Sequence, residues 1–302
     1  MRWILILILL LGTAIVAAQP AGAPANLTTA RVVVSIGNFY NEQTPELKAE
    51  DLTVTQGFDP VPVSRVIPLR NGIELYLLVD NCSDCEPGTK FEELSRFIRT
   101  QPQTTAVGIA YIRNGRLEIA EPPGADRERA IKALSPPSGG SPASPFGALR
   151  ELIGSFKQDS LRHVILMVTN GMDPAPEASP NPAAEAAIET AQRAGVTVFA
   201  IYHPSADYLN TDFERIYAGQ VQVAHVAAET GGEAYFITSG PLPSLAPFLG
   251  DIADHLANQY VLELSLKPAE GTGALREIDV KTTNRDLEVI APAKVWVPAK
   301  GR

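Results

Sequence analysis

This 302-residue sequence has no basic run, and its 34 Asp and Glu residues outnumber 25 Lys and Arg, giving a formal net charge of −9. The electrostatic footprint of nucleic-acid binding is missing, so no nucleic-acid partner is expected. Cysteine is nearly absent, with only Cys82 and Cys85 present. No Gly-rich phosphate loop follows a strand pattern, and Gly231-Gly232 before Glu233 reads as a helix stop. Ser35 and Ser239 lack a nucleophile-elbow sequence, which leaves hydrolase chemistry without support. His163, His203, His225 and His255 are scattered along the chain and suggest no zinc set. Nor does any apolar run reach the roughly 20 residues that a spanning helix needs.

The longest apolar run stands at the start. Arg2 precedes Trp3 to Leu11 and the small-residue stretch Ala14 to Ala18, a signal-peptide layout with small residues Val16 and Ala18 before a cut. No cysteine follows the cut, so lipoprotein anchoring is not expected. An uncleaved anchor remains the alternative to a secreted or periplasmic chain. In such an oxidising compartment, a local disulfide between Cys82 and Cys85 is the default state.

After the leader (1–18), residues 19–70 form a β segment in which Arg31 to Ile36, Asp51 to Thr55 and Val61 to Ile67 read as strands. From Asn71-Gly72, apolar β-rich runs alternate with helical ones through residue 257. That alternation predicts an α/β, doubly wound, Rossmann-type sheet over residues 71–257. Its strands are Glu74 to Asp80, Thr105 to Ile112, His163 to Thr169, Val196 to Tyr202 and Glu233 to Ile237, several of them apolar at almost every position, as strands buried on both faces are. Asn114-Gly115 joins the second of these to Arg116 to Ala120 and is the preferred turn of an antiparallel hairpin, so one sheet edge should be antiparallel.

Phe91, Leu94, Phe97 and Ile98 share one helical face, as do Phe146, Leu149, Leu152, Ile153 and Phe156; both stripes read as core. Asn181, Pro182 and Gly195 supply start and stop signals for a helix near Ala183 to Ala194. Residues 258–302 return to strand patterns at Val261 to Leu266, Ile278 and Val280, Val289, and Val295 to Val297. Neither terminal β part would bury a stable core alone, so the two are expected to build one small sandwich together.

Ligands of a doubly wound sheet bind at the carboxyl ends of its strands. That edge carries Asp80 to Cys85, the loop Ser135 to Pro145, and Thr169-Asn170-Gly171. Here the chain resembles the von Willebrand factor A family, and more narrowly the acidobacterial proteins related to it. The residues carrying the resemblance are Leu47-Lys-Ala-Glu-Asp-Leu-Thr-Val54, Val164-Ile-Leu-Met-Val-Thr-Asn-Gly171, Ala228-Glu-Thr-Gly-Gly-Glu-Ala-Tyr-Phe236 and Asn258-Gln-Tyr260.

The resemblance implies a metal-ion-dependent adhesion site, an Asp-x-Ser-x-Ser loop with a Thr and a second Asp holding magnesium. Carried over, the first Asp is Asp80, the two Ser positions hold Cys82 and Asp84, the Thr falls on Ala143 or Ser144, and the last Asp becomes Asn170. Sulfur is a poor magnesium ligand and Asn170 lacks the charge, so the site is expected to be degenerate and without cofactor. If magnesium or calcium binds, Asp80 and Asp84 are its charged ligands.

The expected function is therefore a non-enzymatic protein-binding or scaffold module whose edge, Asp80, Cys82, Asp84, Ser144 and Asn170, meets another protein. An alternative is thiol-disulfide exchange through the Cys82-x-x-Cys85 pair. Glu86, Pro87 and Gly88 delay the helix that would activate such a thiol, and Asp80 and Asp84 disfavour a thiolate. A purely structural envelope protein is the third reading.

Overall fold

A computed structural model of the chain describes residues 27–38, 46–70, 72–80, 88–113, 116–134, 144–157, 162–173, 181–203, 213–237 and 244–299. The leader and Asn81 to Pro87, with Cys82, Asp84 and Cys85, lie outside the described residues, as does Ala143.

The central sheet is built from β5 (Ile73–Asp80), β6 (Thr105–Arg113), β7 (Arg116–Gly124), β8 (Arg162–Thr169), β9 (Thr197–Tyr202) and β10 (Ala234–Phe236). Its order is β10-β9-β8-β5-β6-β7. Every neighbouring pair is parallel except β6 with β7, which runs antiparallel with a register shift near Ile109. The antiparallel edge expected from the sequence is therefore present as β7, while Asn114 and Gly115 lie outside the described residues.

Because successive strand residues face opposite sides, the apolar runs feed two cores. Tyr76, Leu78, Ile165 and Met167 pack under α3 (Pro145–Ser155), α4 (Pro182–Ala194) and α5 (Phe213–Glu229). Leu75, Leu77, Val164 and Leu166 pack under α1 (Gly88–Thr100), α2 (Arg127–Ala133) and α6 (Ala246–Ala257). The predicted stripes sit where periodicity puts them, with Leu94, Phe97 and Ile98 in one core and Phe146, Leu149, Leu152 and Ile153 in the other. No described helix is long and apolar enough to cross a membrane.

α4 shows why its ends were legible. Asn181 accepts from the backbone of Ala183 and Ala184, Pro182 opens the first turn, and Gly195 takes φ +68, the left-handed conformation that only glycine adopts cheaply.

The terminal segments contribute β1 (Thr28–Asn38), β2 (Leu52–Gln56), β3 (Asp59–Pro60), β4 (Val63–Pro68), β11 (Gln259–Leu266), β12 (Gly273–Glu277), β13 (Asp279–Thr282), β14 (Leu287–Ile290) and β15 (Lys294–Pro298). They interleave. One sheet runs β14-β1-β11-β4, a second β13-β2-β3, and β12 pairs with β15. β1 lies antiparallel to β11, Val32 opposite Leu262, and Val54 of β2 faces Val280 of β13. Alternate residues Ala30, Val32, Val34 and Ile36 point inward onto Leu262, Leu264, Val295 and Val297, a third core. β12 was not expected: its residues are only partly buried, and its pairing with β15 leaves no apolar period to read.

Candidate functional site

The carboxyl ends of β5, β8 and β9 bring Asp80, Thr169 and His203 to one edge, with the start of α1 and α3 beside them. Asp80 is the last residue of β5, and its Oδ2 accepts a hydrogen bond of 2.8 Å from the Thr169 hydroxyl at the end of β8. Burial pushes the Asp80 carboxyl up from 3.8 to about 6, and the Thr169 bond only partly offsets it. The residue itself keeps some surface.

Thr169 Oγ1 also accepts from the Gly171 backbone at 3.0 Å, and Asn170 Oδ1 accepts from Met172 N at 3.0 Å. The turn after β8 is thus closed on its own side chains. Its path depends on glycine. Gly171 has φ +67, and a Cβ there would lie 2.5 Å from Gly219 O and 2.6 Å from Val223 Cγ2 of α5. Gly171→Ala would combine left-handed strain with overpacking against a helix, and is expected to cost about 2–4 kcal/mol. A thermal melt of the variant checks this; an unchanged midpoint would mean that the turn does not seat on α5.

Ser144 caps α3, accepting from Gly147 N at 3.3 Å, and its hydroxyl donates to Asp173 Oδ2 at 2.5 Å. Sequence reasoning missed Asp173, which lies three residues past Asn170, beyond the position the resemblance inspects. It also missed Lys90, a buried residue of α1 whose Nζ meets Nε2 of buried His203. His203 in turn donates its backbone N–H to Thr169 O at 2.8 Å, tying the ends of β8 and β9 together.

Magnesium demands a near-octahedral set of oxygen ligands. Of the carried-over positions described, only Asp80 brings a carboxylate, held by Thr169; Asn170 Oδ1 is committed to Met172 N, and Ser144 to Asp173 and Gly147. The described part of the set thus offers one carboxylate and two oxygens engaged within the protein, while Cys82 and Asp84 lie outside the described residues. A groove of about 450 Å³ lies elsewhere, between the end of α4 and β15, where the Arg193 guanidinium stands 4.9 Å over the Trp296 ring.

No protein-family model matches the chain, and no curated protein matches it. Among solved structures, it aligns with proximal thread matrix protein 1 from the mussel byssus at 15% identity and a TM-score of 0.45, over 65% of this chain and 49% of that one. It aligns with the vWF domain of the type V pili tip protein Mfa5 from Porphyromonas gingivalis at 9% identity and a TM-score of 0.47, over 64% of this chain and 96% of that one. A third alignment is with the ArnB paralog VWA2 from Sulfolobus acidocaldarius, at 11% identity and a TM-score of 0.43, over 89% and 76%. The chain spans about half the length of the first of these, 49%.

Proposed function

We propose that this chain, whose α/β half is a von Willebrand factor A-like domain, is a non-enzymatic, secreted or periplasmic binding module that presents the strand-end edge to another protein. The observation carrying this reading is that the edge is tied to itself: Asp80 to Thr169, Ser144 to Asp173, Asn170 to Met172. Such an edge is pre-organised, so a partner would meet a surface whose ordering cost is already met by folding. Recognition then rests on shape and hydrogen bonds, with no metal bridge to a partner carboxylate. The leader's composition supports the compartment.

The test is capture from a native secreted or periplasmic fraction by wild type, Ser144→Ala and Asp173→Ala, each with and without chelator. Selective capture by wild type that is indifferent to chelator is expected. Capture abolished by chelator would restore a metal-bridged site, and equal capture by all three would move the binding surface elsewhere.

Cys82 and Cys85 are proposed to be joined in a disulfide that pins the loop after β5. Thiol labelling of protein purified without reductant should leave both unmodified. Full labelling, together with reduction of a disulfide substrate that Cys82→Ser abolishes, would favour thiol-disulfide exchange instead.

A further inference from the structure

Away from that edge, side chains from a strand and a helix converge beside the sandwich. Glu233 immediately precedes β10, Tyr235 lies in it, and Asp251 and His255 stand one turn apart on α6. His255 Nε2 is 3.4 Å from Glu233 Oε2 and 3.6 Å from Asp251 Oδ2. The Tyr235 hydroxyl lies 2.5 Å from the same Asp251 oxygen and 3.2 Å from the same Glu233 oxygen. We propose that His255, Glu233 and Asp251 bind a first-row divalent cation of the zinc class, with the Tyr235 hydroxyl donating to Asp251 and so holding that carboxylate in place.

The distances carry the argument. A charge-assisted hydrogen bond between imidazolium and carboxylate closes to about 2.7–2.9 Å. Neighbouring ligands of a tetrahedral ion with bonds of about 2.0–2.1 Å stand roughly 3.3–3.4 Å apart, close to the His255 separations. All three ligand atoms lie within 4.8 Å of one another. Calcium takes 6–8 oxygen ligands at about 2.3–2.6 Å and is poorly served by an imidazole, whereas zinc accepts nitrogen and carboxylate together.

The ring is held independently of any ion. The His255 side chain is only 5% exposed, its Nδ1 has no hydrogen-bond partner among the described residues, and its Nε2 points into the cluster. Phe199 stacks on it at a centroid distance of 6.0 Å. Gly37 of β1 gives it room, since a Cβ there would come 3.3 Å from the ring's Cε1. The surroundings favour a cation: the carboxylates of Glu233, Asp251 and Glu288 of β14 all act on the ring. Asp251 and Glu233 are 51% and 44% exposed, so a cation and a water ligand can reach the site from solvent. A bound ion would join α6 to β10 where His255 meets Gly37 and the sandwich.

The test uses the purified full chain and the same chain carrying Cys82→Ser and Cys85→Ser, titrated with zinc alone and with cobalt(II) alone. One equivalent should bind in both, cobalt should show the visible bands of a four- or five-coordinate ion, and zinc should raise the melting temperature relative to chelator. Asp251→Asn and Glu233→Gln should each weaken binding at least tenfold, the loss expected on removing a ligand or its support. Glu185→Gln, which alters the separate His225–Glu185 pair at 2.9 Å, should leave binding unchanged. Should either variant fail to fold, the wild type decides alone: the resonances of a buried histidine ring shift on zinc addition if the proposal holds. No binding, binding that persists in both carboxylate variants, binding that vanishes with the cysteines, or unmoved histidine resonances would overturn it.

Discussion

A chain ending at residue 275 is expected to be insoluble, or to melt far below the full-length protein. The cut falls inside β12, removes β13, β14 and β15, and leaves the rest of β12 without its partner. It strips Ile278, Val280, Leu287, Val295 and Val297 from the third core, where they cover Val32, Val34 and Val54. At about 1.5–3 kcal/mol for each buried apolar side chain, the loss is on the order of 10 kcal/mol. That is comparable with the whole stability of a typical domain, about 5–15 kcal/mol. The edge of β1 at Ser35 to Asn38 would also lose the backbone partners that β14 supplies. Thermal unfolding of the truncated protein measures this directly. A truncation that kept the full-length midpoint would show that the two ends do not share a core.

Asp80→Asn is expected to stabilise the protein at neutral pH. The carboxyl is raised by burial from 3.8 to about 6, so the folded state holds its proton more tightly than the unfolded chain does. A raised carboxyl favours folding most at low pH, and that contribution is lost as pH rises from about 4 through about 6. At about 1.4 kcal/mol per pKa unit, ionised Asp80 costs the wild type about 2–3 kcal/mol at pH 7. Asparagine carries no charge and keeps an oxygen for the Thr169 hydroxyl. The variant should therefore out-melt the wild type at pH 7, with the difference vanishing below about pH 4.

Titration with magnesium completes that experiment. A ligand binding only the folded state stabilises it by about 2.7 kcal/mol at 100 times its dissociation constant. With Asp80 alone as a described carboxylate of the carried-over set, millimolar magnesium should barely move the wild-type midpoint. A saturable rise that Asp80→Asn removes, with a variant less stable than wild type, would restore an adhesion-type site.

The strands of the central sheet, its antiparallel edge, both helix stripes and the ends of α4 follow from the sequence alone. Each rests on a short-range cause: period-2 burial on two faces, an Asn-Gly turn, a 3.6-residue stripe, an Asn cap and a glycine stop. The placement of Asp80 and Asn170 at strand ends follows too, because a parallel sheet puts the carboxyl ends of its strands on one edge. Which atoms meet at that edge does not. Ser144 finds Asp173, and Lys90 finds His203, only because β8, β9 and the starts of α1 and α3 come together in space.

The same holds for His255. Asp251 four residues before it is legible on a helix, but Glu233 and Tyr235 belong to a strand, and only the seating of β10 beside α6 brings them within reach. β12 is the plainest case. Its residues carry no apolar period of their own, and their strand conformation is imposed by the hydrogen bonds of β15, a partner about twenty residues further along the chain. Local periodicity and turn chemistry are properties of neighbouring residues and so are written in the sequence; a site assembled from separate elements exists only after their packing has fixed which side chains face one another.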